Sequence, residues 1–101
     1  MEKENLKVIV FQAENVFVAS CLDMDLVIER KTQNEALDDI TRLIQINIFG
    51  AQRKRMSLER AFSKAPEEYF IKYNQGIPLD YAPNLSLRVS DIANIEYRIN
   101  S

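Results

Sequence analysis

The chain of 101 residues has no histidine, a single cysteine and no apolar run near the length of a membrane span. Without histidine it lacks the commonest general base and the commonest metal ligand of proteins. One cysteine forms no internal disulfide, which favours a reducing, cytoplasmic location. A spanning helix needs about 20 apolar residues, and residues 1–5 lack the apolar core of a signal peptide. These absences argue against a membrane protein, a secreted disulfide scaffold and a histidine-dependent enzyme.

An excess of positive charge is also lacking. The formal net charge is -2 and the pI is about 5.1, whereas a domain coated with positive potential for nucleic acid is basic. The hydrophobic share of 47% and charged share of 28% are typical of a soluble globular chain long enough for one core. We therefore expect a single domain, with residues 1–55 as its core and residues 56–101 as an extension packed on that core.

Three segments near the N-terminus have the β-branched and aromatic composition of strands, at residues 6–13, 16–22 and 25–31. The first two segments are apolar on both faces. Glu14 and Asn15 lie between them as a tight turn, in which asparagine tolerates the positive φ that such turns need. The simplest connection of the three strands is an antiparallel β-meander.

A helix start follows the third strand. Thr32 and Glu35 form a capping box, in which the threonine hydroxyl accepts the N–H of Glu35 and the glutamate carboxylate reaches back to the N–H of Thr32. Asp38 and Arg42 have the spacing of an i,i+4 ion pair on the polar side. The sequence therefore predicts one main helix, with apolar residues at the helical period at Ala36, Leu37, Ile40, Leu43, Ile44 and Ile48.

The second half of the chain contains weaker signals. Pro66 and Gly76 are suited to the start and end of a short helix, and residues 77–83 resemble an extended linker. Residues 85–89 and 95–99 alternate between apolar and polar side chains, as amphipathic strands do. We predict an α+β fold: a three-stranded antiparallel β-meander packed on one main helix, with a short C-terminal helix and two added amphipathic strands.

Two features indicate a second copy of the chain. The C-terminal strands would leave unpaired edges in a monomer, and bare edges attract partners. Ile46 and Phe49 widen the apolar stripe of the main helix, so that a second surface is needed to cover them. We therefore expect a homodimer joined partly through residues 85–99.

The corner around Cys21, Asp23 and Asp25 has two interpretations. Two carboxylates at i,i+2 spacing are able to share a hard cation, as in a carboxylate-metal enzyme. A tight turn in which aspartate accepts backbone hydrogen bonds explains the same residues, and we favour it because two oxygens alone make a poor Mg²⁺ site. Cys21 lies in an apolar strand without a neighbouring cation, which indicates a small buried side chain. We expect no catalytic residue, no metal and no cofactor.

A basic segment follows the main helix. Its cations are Arg53, Lys54, Arg55 and Arg60, and the aromatic residues Phe62, Tyr69 and Tyr73 come after them. Interleaved basic and aromatic residues are typical of a nucleic-acid surface. A solvated helix end, with the aromatic rings facing the core, explains the same pattern and is favoured. Nucleic-acid binding through this segment is the alternative function.

The stretch VFVASCLDMDLVIERKTQNEALDDITRLIQ, residues 16–45, resembles the HicB-like antitoxin domain. Residues 18–23 match the second strand and the corner of that family, and Thr32, Glu35, Ala36 and Leu37 match its helix opening. With the first strand included, the resemblance covers residues 6–49. The corner lacks the usual Pro-Gly, Lys31 stands where the family commonly has glycine, and residues 50–101 carry neither of the family's DNA-binding modules.

The resemblance implies a β-β-β-α core, described as a partial ribonuclease-H-like fold, that is not known for catalysis. Antitoxins of this family neutralise a small toxin ribonuclease by masking it. We accordingly expect a HicB-like antitoxin or an orphan relative that binds protein. A basic toxin would meet an acidic surface, for which the candidate residues are Asp23, Asp25, Asp38 and Asp39.

Overall fold

The computed structural model describes residues 4–54, 62–82 and 92–100. In these ranges the α+β fold expected from the sequence is confirmed, with an antiparallel β-meander packed on a long helix. No helix in the described ranges is long and apolar enough to cross a membrane. The elements are β1 (Glu4–Ala13), β2 (Val16–Cys21), β3 (Leu26–Arg30), α1 (Gln33–Arg53), α2 (Glu67–Gln75), β4 (Ile77–Pro78) and β5 (Ile92–Asn100).

The five strands form one mixed sheet in the order β3-β2-β1-β5-β4. β5 runs parallel to β1, with Ile95 beside Leu6 and Ile99 beside Val10. The predicted strand at residues 95–99 therefore belongs to this sheet, whereas the one predicted at residues 85–89 lies outside the described ranges.

The extended linker predicted at residues 77–83 is wrong at its start, because Ile77 and Pro78 pair with the end of β5 as β4. Gly76 permits this approach. A Cβ at that position would lie 2.9 Å from the carbonyl oxygen of Ile99, closer than a side chain tolerates. The chain therefore leaves α2 and turns directly against the sheet.

The two helices cover opposite faces of the sheet, which explains why β1 is apolar on both sides. Val8 and its alternate neighbours along β1 belong to the cluster beneath α1, and Ile9 belongs to the cluster on the α2 side. The cluster beneath α1 contains Leu6, Val8, Val10, Ala19, Cys21, Met24, Ile28, Ala36, Leu37, Ile40, Ile44, Ile48 and Tyr97; the other contains Ile9, Leu22, Ala65 and Tyr73.

α1 begins after Thr32, the capping residue predicted from the sequence. The hydroxyl of Thr32 accepts the N–H of Glu35 at 3.1 Å, as expected. The Glu35 carboxylate, which was expected to accept the backbone N–H of Thr32, instead accepts a hydrogen bond of 3.1 Å from the Thr32 hydroxyl. The helix continues through Gly50 to Arg53. Five of the six predicted apolar positions are fully buried, and Leu43 is partly buried at the flank.

The hairpin between β1 and β2 has two central residues, since Ala13 pairs with Val16. Glu14 has φ +56°, whereas Asn15, the residue expected to adopt a positive φ, does not. α2 lies between Pro66 and Gly76 as predicted, and its Tyr73 is buried against the sheet.

Candidate partner-binding site

Asp38 and Asp39 are adjacent in α1 but lie on different flanks of the helix. Asp39 faces β3: its Oδ2 accepts the Nε–H of Arg30 at 2.7 Å, and its Oδ1 lies 3.5 Å from a guanidinium nitrogen of Arg42. Asp38 accepts a hydrogen bond from the hydroxyl of Tyr81. The ion pair predicted between Asp38 and Arg42 is therefore wrong, because Tyr81 binds Asp38 and Arg42 reaches Asp39.

A cleft of about 210 Å³ lies beside Asp38, between α1 and the segment that carries Tyr81. The Tyr81 ring packs edge-on against Tyr97, with centroids 4.8 Å apart and an interplanar angle of 66°. The Tyr97 hydroxyl in turn shares a 2.7 Å hydrogen bond with the buried hydroxyl of Thr41. These contacts support one side of the cleft, which is lined by Asp38, Thr41, Arg42, Gln45 and Tyr81.

Both tyrosines of this cluster stay neutral at physiological pH. Burial raises the pKa of Tyr97 to about 12. The pKa of Tyr81 is also raised, first by burial and then by its hydrogen bond to Asp38 and the negative charge of that carboxylate. The Tyr81 hydroxyl therefore acts as a donor that orients Asp38. An exposed, oriented carboxylate beside amide and hydroxyl groups is suited to a guanidinium or ammonium group.

Asp23 has a structural role at the corner between β2 and β3. Its Oδ2 accepts the backbone N–H of Lys7 at 2.7 Å, its Oδ1 lies 3.7 Å from the Lys7 ammonium, and its carbonyl oxygen accepts the N–H of Ser63 at 3.0 Å. Asp25 is exposed and has φ +52°. The turn interpretation of this corner thus agrees with the structure. Within residues 4–54, 62–82 and 92–100, no group of three or more His, Cys, Asp or Glu side chains is placed to hold a metal ion.

The four acidic residues predicted to bind a partner lie in two regions. Asp23 and Asp25 are at the start of β3, while Asp39 contacts Arg30 at its end. A five-residue strand separates these regions by roughly 13 Å. Asp38 and Asp39 are neighbours in sequence but face different flanks of α1, so the four residues form no common site. Asp38 is joined instead by Tyr81, which no local pattern indicates because 43 residues separate the two.

Of the four cations in the alternative nucleic-acid surface, Arg53 and Lys54 are exposed at the end of α1, and Arg55 and Arg60 lie outside the described residues. The aromatic rings face inward, as favoured from the sequence. Tyr73 is buried beneath the Arg98 guanidinium at 4.3 Å.

Two further features bear on function. Cys21 is fully buried, as predicted, and burial raises the pKa of its thiol to about 12. Ile46 and Phe49, the two residues expected to need cover, are exposed on α1.

Comparison of the chain with protein-family models, with curated proteins and with solved structures finds no match.

Proposed function

We propose that the protein is a HicB-like antitoxin, or an orphan relative of that family, and that it acts by binding another protein rather than by catalysis. Residues 6–49, which carry the resemblance, form a β-meander packed on the helix capped by Thr32. Burial raises the pKa of the Cys21 thiol from 9.0 to about 12, so that still less thiolate is present at neutral pH than in an exposed thiol. A protonated, buried thiol is a poor nucleophile, which supports binding over thiol catalysis.

The cleft beside Asp38 is the observation that carries the proposal. Its exposed carboxylate is oriented by Tyr81, and the half-buried Gln45 provides amide groups nearby. A lysine or arginine of a small basic protein would donate a hydrogen bond to Asp38. Because Tyr81 already holds the Asp38 carboxylate in place, binding would cost that side chain little conformational entropy. The net charge of -2 also favours encounter with a basic partner.

Among the acidic candidates, Asp38 is the contact we favour. Asp39 is neutralised by Arg30 and Arg42, and Asp23 by Lys7. A carboxylate already paired with a cation gains less from a partner's cation, since the existing pair must be broken or shared. Charge reversal at Asp39 should therefore disturb the packing of α1 on β3, whereas reversal at Asp38 should act on the partner.

The test uses three tagged baits in a lysate of the source organism: the wild type, Asp38→Lys and the matched control Glu68→Lys. Glu68 is exposed on α2 and undergoes the same change of charge on the opposite face of the sheet. We expect the wild type and Glu68→Lys to capture the same small basic protein in stoichiometric amount. Affinity of that purified protein for Asp38→Lys should fall at least about tenfold by calorimetry.

Capture of no basic protein by the wild type would contradict toxin neutralisation. Equal affinity of the captured protein for all three baits would instead move the contact away from Asp38. Circular dichroism spectra of the three baits, which should coincide, separate either result from loss of the fold.

The second candidate function is nucleic-acid binding at the end of α1. It is favoured by the adjacent, exposed cations Arg53 and Lys54, which Arg55 and Arg60 extend in the sequence. Phosphate contacts weaken linearly with the logarithm of salt concentration. Anisotropy with labelled RNA and DNA at several salt concentrations tests this function, and binding that is unchanged by Arg53→Ala with Lys54→Ala would reject it.

A further inference from the structure

β3 is the outer strand of the sheet on the side of the meander. It pairs with β2 along one edge, and no strand among residues 4–54, 62–82 and 92–100 pairs with its other edge. β5, through which the sequence suggested a dimer, lies instead between β1 and β4. An outer strand presents a row of backbone N–H and C=O groups that a second strand is able to bind. The long edge of this sheet is therefore β3.

The sequence around β3 is complementary to itself in one antiparallel register. When Ile28 lies opposite Ile28 of a second copy, Val27 lies opposite Glu29, and Asp25, which immediately precedes β3, comes beside Lys31, which immediately follows β3 in that copy. Asp25 and Lys31 are both exposed. The twofold axis produces the Asp25–Lys31 pair twice, and no two like charges are directly opposite. Opposite charges at facing positions stabilise antiparallel strands, and like charges destabilise them.

α1 provides an apolar surface beside the same edge. The helix packs mainly over β3 and β2, and the contact between Asp39 and Arg30 identifies the flank that faces the edge. Leu43, Ile46 and Gly50 follow Asp39 at the i+4, i+7 and i+11 positions and so share this flank. Leu43 is partly buried and Ile46 is 59% exposed. In the part of the chain that the structure describes, no neighbouring group lies within 4 Å of the point where a Cβ at Gly50 would stand.

The spacing of strands and helices agrees with a dimer at this edge. Neighbouring strands lie about 4.8 Å apart, so a helix above the β2–β3 boundary would lie roughly 10 Å from its mate across a β3–β3 junction. Packed helices are typically about 8–10 Å apart. Pairing of the strands would thus bring the two α1 helices into contact along the flank that carries Ile46.

We propose that two copies of this chain associate through antiparallel pairing of β3, centred on Ile28, with the two α1 helices packed side by side through Leu43 and Ile46. The product is a continuous ten-stranded sheet with both α1 helices on one face, built from two five-stranded sheets. This surface is separate from the cleft of the proposed function, because Asp38 and Tyr81 lie on the other flank of α1. The dimer and the partner-binding cleft are therefore testable independently.

The first experiment exchanges the charges across the axis and measures mass by light scattering over a concentration series. The wild type should have twice the chain mass of 11.7 kDa. Asp25→Lys alone places two lysines opposite each other, and Lys31→Glu alone places two carboxylates opposite each other, so the dissociation constant should rise about tenfold in each. An equimolar mixture of the two variants restores both attractive pairs and should recover wild-type affinity. Glu68→Lys, exposed on α2 on the opposite face of the sheet, is the control and should remain dimeric.

The second experiment places a charge in the helix contact. Ile46→Glu should dissociate the dimer, because it buries a carboxylate between the two α1 helices. Ile71→Glu is the matched control: Ile71 is similarly exposed, at 50% against 59%, but it lies on α2. A monomeric wild type, or a dimer that neither Ile46→Glu nor the charge exchange weakens, would overturn the proposal. Circular dichroism verifies that each variant is folded.

Discussion

Two buried hydroxyls of this protein differ in how they are satisfied. Thr41 shares its hydrogen bond of 2.7 Å with Tyr97. Ser20 is fully buried in β2, and its Oγ has no hydrogen-bond partner among residues 4–54, 62–82 and 92–100. A buried polar group without a partner loses its hydration and gains nothing in return, at a cost of about 1–3 kcal/mol. Ser20 is therefore a site where the native residue lowers stability.

We predict that Ser20→Ala raises the free energy of unfolding by about 1 kcal/mol, because alanine removes the unsatisfied oxygen and leaves only a small void. The matched control is Thr41→Val, which deletes a paired hydroxyl at nearly constant shape. It should lower stability by about 1–3 kcal/mol, since the Tyr97 hydroxyl is then left buried without its partner. Urea denaturation at one protein concentration measures both. A loss of stability in Ser20→Ala would show that its hydroxyl is satisfied in solution.

Single residues were predictable from the sequence only where their environment is local. Cys21 was expected to be buried from its apolar strand, and it is. The partner of Asp38 was not predictable, because Tyr81 comes from a segment 43 residues away. The local spacing predicts Arg42, four residues from Asp38, as the partner of that carboxylate, but Asp38 binds Tyr81 in the folded chain.

At the scale of elements, the hairpin between β1 and β2 has a glutamate at its central position of positive φ. A two-residue hairpin with positive φ at its first central residue favours glycine there. The residue is Glu14, with φ +56°, and a non-glycine residue in this region costs roughly 1–2 kcal/mol. Asparagine at position 15 is the residue expected from the sequence to take the positive φ, but of the two central residues it is Glu14 that has it.

We predict that Glu14→Gly stabilises the protein by up to about 1 kcal/mol, since relief of the strained φ outweighs the greater freedom that glycine gains in the unfolded chain. Asn15→Gly is the control. Its φ is not positive, so it should gain nothing and lose about 0.5–1 kcal/mol of stability. Thermal unfolding of the two variants ranks them, and equal melting temperatures would contradict the role assigned to Glu14.

Helices and strands with a regular repeat of apolar residues were predicted well from the sequence, whereas the pairing of one element with another was not. The repeat of apolar residues along α1 and the capping residue Thr32 are local features, and both agree with the structure. β4 was missed because a two-residue strand has no period. It exists because Gly76 lets Ile77 approach β5.

The whole molecule has a sheet covered on both faces, by α1 on one and α2 on the other. Apolar residues on both sides of β1 indicated two buried faces, but they did not indicate which element covers the second one. The parallel pairing of β1 with β5 joins the two ends of the chain. This arrangement also buries Cys21, Tyr73 and Tyr97, whose side chains ionise only in alkali. The stability of the entire fold should therefore depend on pH in the alkaline range.

Burial raises the pKa values of Cys21, Tyr73 and Tyr97 each to about 12, from ordinary values of 9.0 for the thiol and 10.0 for the tyrosines. A raised pKa means that the folded state retains a proton that the unfolded state has lost. The contribution of these groups to stability is therefore constant well below their ordinary pKa values and falls as pH rises through those values toward 12, at up to about 1.4 kcal/mol per pH unit for each group. Urea denaturation at a series of pH values should show this decline.

The contribution of the thiol is separable from that of the tyrosines because the thiol ionises first in the unfolded chain. Near pH 9.0 the thiol is half ionised in the unfolded chain, whereas the tyrosines, with an ordinary pKa of 10.0, are still mostly protonated. Cys21→Ala should therefore be less stable than the wild type at neutral pH, and its decline in stability should begin about one pH unit later. Above pH 10.0 this variant should also lose stability, because Tyr73, Tyr81 and Tyr97 remain, but with a smaller slope than the wild type, which loses the contribution of the thiol as well. An identical slope for both proteins between pH 9.0 and 10.0 would mean that the Cys21 thiol is not protected from ionisation by burial. The decline would then arise from the tyrosines, whose rings pack against both faces of the sheet.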